Sequence, residues 1–172
     1  MSFNLNTKIN NLSNYVYRPP QATYYKSVQQ NLVNGSTDIT FDTVGSWSNI
    51  NGYITHVSGT KDFTVARTGL YQLEFNLSVI PNGATWNTAV NKSVNIDITR
   101  PPVPEQAIIQ NNAVVANNLP YHQSVASTFY LEVGDVINLR SFLAFASAVP
   151  YAQGVQNGID LNTFFSWRYV SQ

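Results

Sequence analysis

Two histidines, six aspartates and three glutamates are the residues of this 172-residue chain with the strongest claim on chemistry, and no cysteine accompanies them. The missing cysteine removes thiol, disulfide and zinc–thiolate readings together. His56 and His122 stand far apart, neither with another His, Asp or Glu at metal-ligand spacing, and a zinc centre needs three or four convergent ligands. The acidic residues are spread singly, with no Asp-x-Asp-x-Asp-Gly run to build a calcium loop. Ser124 lies two positions after His122, which on a strand puts both side chains on one face but specifies no nucleophile–base geometry. No Gly-x-Ser-x-Gly elbow occurs. Asn76-Leu77-Ser78 and Asn91-Lys92-Ser93 fit the glycosylation acceptor pattern, as chance produces in an Asn-rich chain. These patterns assign no catalytic residue, no metal ligand and no cofactor, and the chain reads as a non-enzyme.

Composition bounds the scaffold around them. Charged residues make up 10% of the chain, against roughly a quarter in an average soluble protein, while 44% are hydrophobic and 13% aromatic. Such a chain buries a core, and Asn, Ser, Thr and Gln cover its surface. Nine basic and nine acidic residues cancel to zero formal charge without forming runs. The basic stripe of a nucleic-acid binder is missing, so no nucleic-acid partner is expected. No apolar stretch reaches the roughly 18 residues of a membrane helix, and Met1-Ser2-Phe3-Asn4 does not open a signal peptide. No membrane partner is expected either.

The chain divides at a proline pair. Before it, Leu5, Ile9, Leu12 and Val16 recur at helical spacing, a seam of under two heptads that reads equally as a short trimer stem or a frayed amphipathic tail. Arg18-Pro19-Pro20 ends that segment, because proline disfavours helix at the preceding residue. Residues 1–20 are taken as an N-terminal arm or stem and 21–172 as a head. In the head, short strands alternate with turn signals. Ala22–Val33 is closed by Asn34-Gly35-Ser36, and Asp38–Val44 alternates with period two. Tyr53–Val57 and Asp62–Ala66 follow. Leu70–Ile80 is the clearest strand, with Tyr71, Leu73, Phe75, Leu77 and Val79 on one face. Val90–Thr99 alternates again, Arg100 to Pro104 is expected to forbid pairing, and Ala107–Ala116, Ser124–Val133, Val136–Phe145 and Thr163–Val170 complete the set. Ala146–Asn162 reads as a long loop. About ten antiparallel strands without a convincing helix make an all-β sandwich, jelly roll or barrel.

Four stretches, in this order, resemble the globular head of complement component one, subcomponent q, and its tumour necrosis factor relatives. They are Ile39-Thr40-Phe41-Asp42-Thr43-Val44; Phe63 to Phe75, with its Gly69-Leu70-Tyr71 turn; Phe129-Tyr130-Leu131-Glu132-Val133-Gly134-Asp135-Val136-Ile137; and Thr163-Phe164-Phe165-Ser166-Trp167. The resemblance covers residues 22–170 and implies a ten-stranded jelly-roll β-sandwich that packs as a homotrimer about an aromatic-lined threefold axis. Tyr71, Phe75, Phe129, Phe164 and Trp167 are then candidate core or trimer-interface aromatics. Some relatives hold calcium at the trimer apex, where Asp135 or Asp160 would contribute through symmetry, but isolated carboxylates do not make a cage. The chain lacks a collagen-like tract, a membrane anchor and cysteine, which sets it apart from animal signalling proteins.

The expected function is therefore a structural protein of a virion or comparable particle, such as a spike, penton or minor capsid component, located at the particle surface with other capsid proteins as partners. The alternative is a trimeric head that binds a host receptor or glycan on a bacterial, spore or phage surface, extracellular or at the cell surface.

Overall fold

The computed structural model describes residues 19–46, 48, 52–86, 92–113, 120–154 and 163–172, with backbone alone over 103–113. Leu5, Ile9, Leu12, Val16 and Asp160 lie outside the described residues. In chain order the strands begin with β1 (Gln21–Tyr25), β2 (Gln30–Asn31), β3 (Gly35–Asp38), β4 (Thr43–Val44) and β5 (Ile54–His56). Then come β6 (Phe63–Val65), β7 (Gly69–Ile80), β8 (Thr85–Trp86), β9 (Lys92–Arg100) and β10 (Val103–Ala113). The last are β11 (Tyr121–Leu131), β12 (Val136–Leu143), β13 (Phe145–Ala146), β14 (Tyr151–Ala152) and β15 (Phe164–Ser171). Ten of these have three residues or more; the other five are two-residue pairings. The described residues contain no helix, and so none long and apolar enough to cross a membrane.

Two antiparallel sheets face each other as a jelly roll. The larger sheet is built on β7, which pairs with β11 along one whole edge, from Leu131 opposite Gly69 to Tyr121 opposite Val79. Its other edge takes β15, up to Phe164 opposite Asn76, and then β14 at Val79 and Ile80. Beyond β15 lie β1 and β4, and beyond β14 lies β2. The second sheet runs β10, β9, β12; the far edge of β12 is shared by β6 and β3, and β6 carries β5. A small sheet pairs β8 with β13.

Period-two patterning decides which faces meet. Tyr71, Leu73, Phe75, Leu77 and Val79 are fully buried from β7, while Gln72 and Glu74 between them are exposed. Phe165, Trp167 and Tyr169 of β15, Val94, Ile96 and Ile98 of β9, and Ile137 and Leu139 of β12 close on them. Phe63 is the hub, within 4.9 Å of the Tyr24 ring and 4.7 Å of Phe165. Edge-to-face pairs of this kind add stabilisation beyond the area they bury.

Four local expectations are corrected. Arg100 to Pro104 does not forbid pairing: Pro101 and Pro102, joined by a cis bond, form the turn of a hairpin in which Val103 lies opposite Arg100. The missing N–H groups of Pro101 and Pro102 fall in the turn, and Pro104 falls in the irregular stretch of the ladder between Val103 and Ala107. Gly35 and Ser36 do not end a strand but begin β3, opposite Leu143 and Phe142. The stretch read as a long loop contains β14, which fills the edge of β7 that β15 leaves free. The strand expected over Asp38–Val44 is also interrupted between β3 and β4: Ile39 and Phe41 alternate in burial as expected, but outside a ladder, the Ile39 N–H donating to the Leu139 carbonyl, the Phe41 N–H to the Thr60 carbonyl, and the Phe41 carbonyl accepting the Gly59 N–H.

Candidate functional surface

The residues singled out for chemistry hold the fold together. His56 on β5 stacks on Phe63 at 4.0 Å, and its Nδ1 and Nε2 each lie 3.0 Å from a backbone carbonyl oxygen, of Asp62 and Phe41. Both ring nitrogens are thus engaged by the backbone, although the ring also lines a shallow concavity with Thr55, Thr60 and Asp62. His122 and Ser124 are both exposed on one face of β11. Asp135 is buried and spends both carboxylate oxygens on Arg100, at 2.8 Å each, while also accepting the Glu132 N–H. Burial pushes its carboxyl pKa up, but the guanidinium and the N–H outweigh burial and hold it below the ordinary aspartate value. An oxygen pair so engaged offers nothing to calcium. Asp38 is handled alike: burial raises it, Lys61 and Arg140 more than offset that, and the net direction is down. Arg140 also reaches the buried Asp97 at 3.1 Å. Asp42, of the Phe41-Asp42 pair, accepts the N–H and hydroxyl of Ser27, tying two loops together. Lys26, pushed down by burial against a partial pull from Asp42, donates to the Thr40 carbonyl at 2.9 Å. Among the described residues no three His, Asp or Glu converge as a metal site.

The Gly69-Leu70-Tyr71 motif has a local cause. Tyr71 donates its hydroxyl to the Arg67 carbonyl at 2.5 Å, closing the turn before β7. The Arg67 guanidinium lies over Tyr53 and Tyr169 and donates to the Tyr53 hydroxyl at 3.0 Å. Burial beside these rings pushes the Tyr71 hydroxyl pKa up, so it stays a donor. Gly69 passes directly under Tyr169, with no room for a Cβ.

Of the candidate interface aromatics, Tyr71, Phe75 and Trp167 are buried inside the sandwich, whereas Phe129 and Phe164 are half-buried. Phe129 points inward with the core-facing residues of β11, and Phe164 lies on the outer face of the larger sheet. That outer face spans β11, β7, β15 and β1. Register lays it out in rows: Tyr130, Leu70 and Ser171; then Thr128, Gln72, Arg168 and Gln21; then Ala126, Glu74, Ser166 and Thr23; then Ser124, Asn76, Phe164 and Tyr25. A concavity of about 240 Å³ is lined by Gln21, Gln72, Glu74, Ser166 and Arg168, and a neighbouring one of about 300 Å³ by Thr23, Tyr25 and Ser48. On the flank, β11 and β10 lie side by side, and among the described residues neither has a strand on its outer edge. Glu74 and Arg168 were not singled out from sequence; the available signal was their outward position in a chain with few charges.

The sequence matches no protein-family model and no curated protein. Solved structures do resemble it. Murine APRIL at pH 8.5 aligns with TM-score 0.58 and 12% identity, over 87% of this chain and 98% of that one. Eiger TNF of S. frugiperda aligns with TM-score 0.55 and 12% identity, over 90% and 94%. The globular domain of zebrafish complement 1qA protein aligns with TM-score 0.59 and 13% identity, over 89% and 98%. With two antiparallel sheets in this order and these likenesses, the chain has the jelly-roll fold shared by complement 1q heads and tumour necrosis factors.

Proposed function

We propose that this chain is a non-enzymatic structural protein, a homotrimeric jelly-roll head built into a virion or comparable particle as a spike, penton or minor shell component. The observation that carries the trimer is the open flank. Tyr121–Leu131 presents an eleven-residue edge containing no Asp, Glu, Lys, Arg or Pro, and among the described residues no strand pairs with its outer side, so neither charge nor proline guards it against another chain. A cyclic trimer resolves this. If the flank of one copy lies against the outer face of the larger sheet of the next, three such contacts close a ring in which every β11 flank is covered. An obligate contact of that kind buries on the order of 2,000 Å².

Membership of a particle is supported by the charge-poor, cysteine-free composition and by the apolar segment ahead of Pro19, which serves as attachment arm. The structural employment of His56, Asp135 and Asp42 supports a non-catalytic role. Light scattering at micromolar concentration is expected to give three times the 19.1 kDa chain mass, and a clean monomer would overturn the trimer. Mass spectrometry of purified particles tests the second half: the chain must appear as a stoichiometric component.

A further inference from the structure

The two ends of the head are built differently. β7 runs from Gly69 at one end to Ile80 at the other, roughly 37 Å at the rise of an extended strand. At the Gly69 end the connections are tight: residues 66–68 lead into β7, Pro101 and Pro102 turn β9 into β10, and residues 132–135 turn β11 into β12. At the Ile80 end, residues 81–91, 114–120 and 144–163 join the longer strands. The tight turns brace one another. The Val133 N–H donates to the Thr68 hydroxyl at 3.2 Å, and Arg100, beside the proline turn, pairs with Asp135 and Glu132. Arg67 is held by the Tyr53 hydroxyl. With those charges engaged, this end presents apolar side chains. Val133 is 65% exposed, Pro101 and Pro102 are exposed, and Val170, brought here by Ser171 opposite Leu70, is 51% exposed. Next to Val170, a concavity of about 320 Å³ is lined by Pro19, Pro20 and Tyr169.

The arm starts here. The Pro20 carbonyl accepts the Tyr169 N–H at 2.8 Å, so the chain ahead of Pro19 leaves the head beside this concavity. Val16 stands three residues before Pro19, a span of at most about 11 Å. The apolar seam of the arm and the apolar end of the head therefore start from one place. We infer that the head stands on its particle by the Gly69 end. The occupant of this end is the shell protein that receives the arm, through an uncharged, apolar surface around the arm's entry. Covering the end strands no unpaired ion, because Arg100, Glu132 and Asp135 already satisfy one another. The contact need not be large. An anchored arm holds the end of the head at high effective concentration over the shell, so a modest apolar patch suffices to fix its orientation. The Ile80 end then faces away from the particle.

This rests on the particle reading above, and lysine substitutions in the full chain separate the two. Val133→Lys and Val170→Lys put a charge on the Gly69 end. Val33→Lys and Val149→Lys put one on the Ile80 end, where the Leu32 N–H donates to the Pro150 carbonyl and β14 lies beside Ile80. All four valines are exposed, so thermal unfolding checks that the fold is intact and light scattering that the trimer is. Particles assembled with each variant in place of the original chain are purified, and their content of the chain is read by mass spectrometry. Val133→Lys and Val170→Lys are each expected to lower it by about tenfold or more, since a charge without a partner opposes burial. Val33→Lys and Val149→Lys are expected to leave it within about twofold. If the original chain is a component of the particle and the first two variants enter as well as it does, the footing is refuted while the particle reading stands. Loss of Val33→Lys or Val149→Lys instead would put the other end on the shell and refute it too. A trimer dissociated by Val133→Lys or Val170→Lys would assign that residue to the contact between copies, against the inference. If the original chain is absent from particles, the particle reading fails and this inference fails with it.

Discussion

Replacing Gly69 by alanine tests why the Gly-hydrophobic-Tyr motif has the form it does. A Cβ at this position would fall inside the edge of the Tyr169 ring, 3.0 Å from its Cζ and 2.7 Å from the carbonyl oxygen of Ser171. Neither obstacle can turn aside. Tyr169 is 5% exposed, with the Tyr53 ring 4.7 Å away, the Tyr71 ring 5.3 Å away and its own N–H bonded to the Pro20 carbonyl at 2.8 Å. Relief requires the end of β15 to move off β7 by roughly 1 Å, since carbon atoms pack at about 3.5–4 Å. Overpacking of this kind costs about 1–3 kcal/mol. The backbone adds to it, because Gly69 has φ of +157°, a region that L-residues avoid. Together the expected loss is about 3–4 kcal/mol, or roughly 10 °C in midpoint for a domain of this size. Gly59→Ala is the control: its φ is +80°, but nothing lies within 4 Å of the added Cβ, so only about 1 kcal/mol of backbone strain is expected. Thermal unfolding of the variants at one fixed protein concentration reads the difference. Equal shifts for Gly69→Ala and Gly59→Ala would show that the Tyr169 contact does not constrain the motif.

Three further outcomes are expected. Phe75→Ala, which empties a fully buried site, should cost about 3–5 kcal/mol in urea unfolding, while Gln72→Ala on the opposite face of β7 should stay within about 0.5 kcal/mol. Equal costs would reverse the facing of the strand. Asp135 has its folded pKa held down, so its stabilisation is present above the unfolded aspartate value of about 3.9 and is lost as pH falls through the folded value. Asp135→Asn should therefore be less stable than the original chain at pH 7, and in urea titrations the gap should close as pH falls below the unfolded aspartate value and through the lower folded one; a constant gap would refute the linkage. A chain beginning at Gln21 should remain a folded trimer by light scattering but fail to enter particles, since fewer than two heptads cannot hold three chains together. Dissociation of that shortened chain, or its normal incorporation, would each count against the attachment arm.

What could be read from sequence was whatever periodicity records, namely burial. The strand at 70–80 was legible because five apolar side chains at every second position leave one solution for its facing, and Val94, Ile96 and Ile98 worked in the same way. Pairing is a different property. Ile39 and Phe41 alternate in burial without joining a ladder, and Tyr151–Ala152 joins one with too few residues to show any period. The latter is a strand only because β7 outruns β15 beyond Asn76 and leaves an edge to fill. Pro101 and Pro102 argued against pairing because sequence does not say whether a proline sits in a ladder or in the turn beside one. The site was less legible still. That Gly69 lies under Tyr169, or that Glu74 lies one diagonal from Arg168, depends on how β15 is registered against β7, which no local pattern encodes.

The aromatic count does not by itself argue for an assembly. Tyr24, Phe41, Tyr53, Phe63, Tyr71, Phe75, Trp86, Phe165, Trp167 and Tyr169 all fill the sandwich of one protomer, so the rings that suggested an aromatic-lined axis are largely consumed indoors. What points outward is the remainder. Tyr130, 57% exposed, stands opposite Leu70 at one end of the outer face, and half-buried Phe164 stands opposite Tyr25 toward the other, with Glu74 and Arg168 between them. In a protein with ordinary surface charge, two unpaired side chains would mean little, because most exposed ions are solvated singly. Here the chain carries few charges, and nearly all the described ones are engaged within the fold, at turns as for Asp135 or between strands as for Arg140 and Asp97. The same scarcity leaves the β11 edge without a charged residue. Among the described residues the other charges are engaged within the fold, while Glu74 and Arg168 face outward one diagonal apart on neighbouring strands, where opposite charges favour each other.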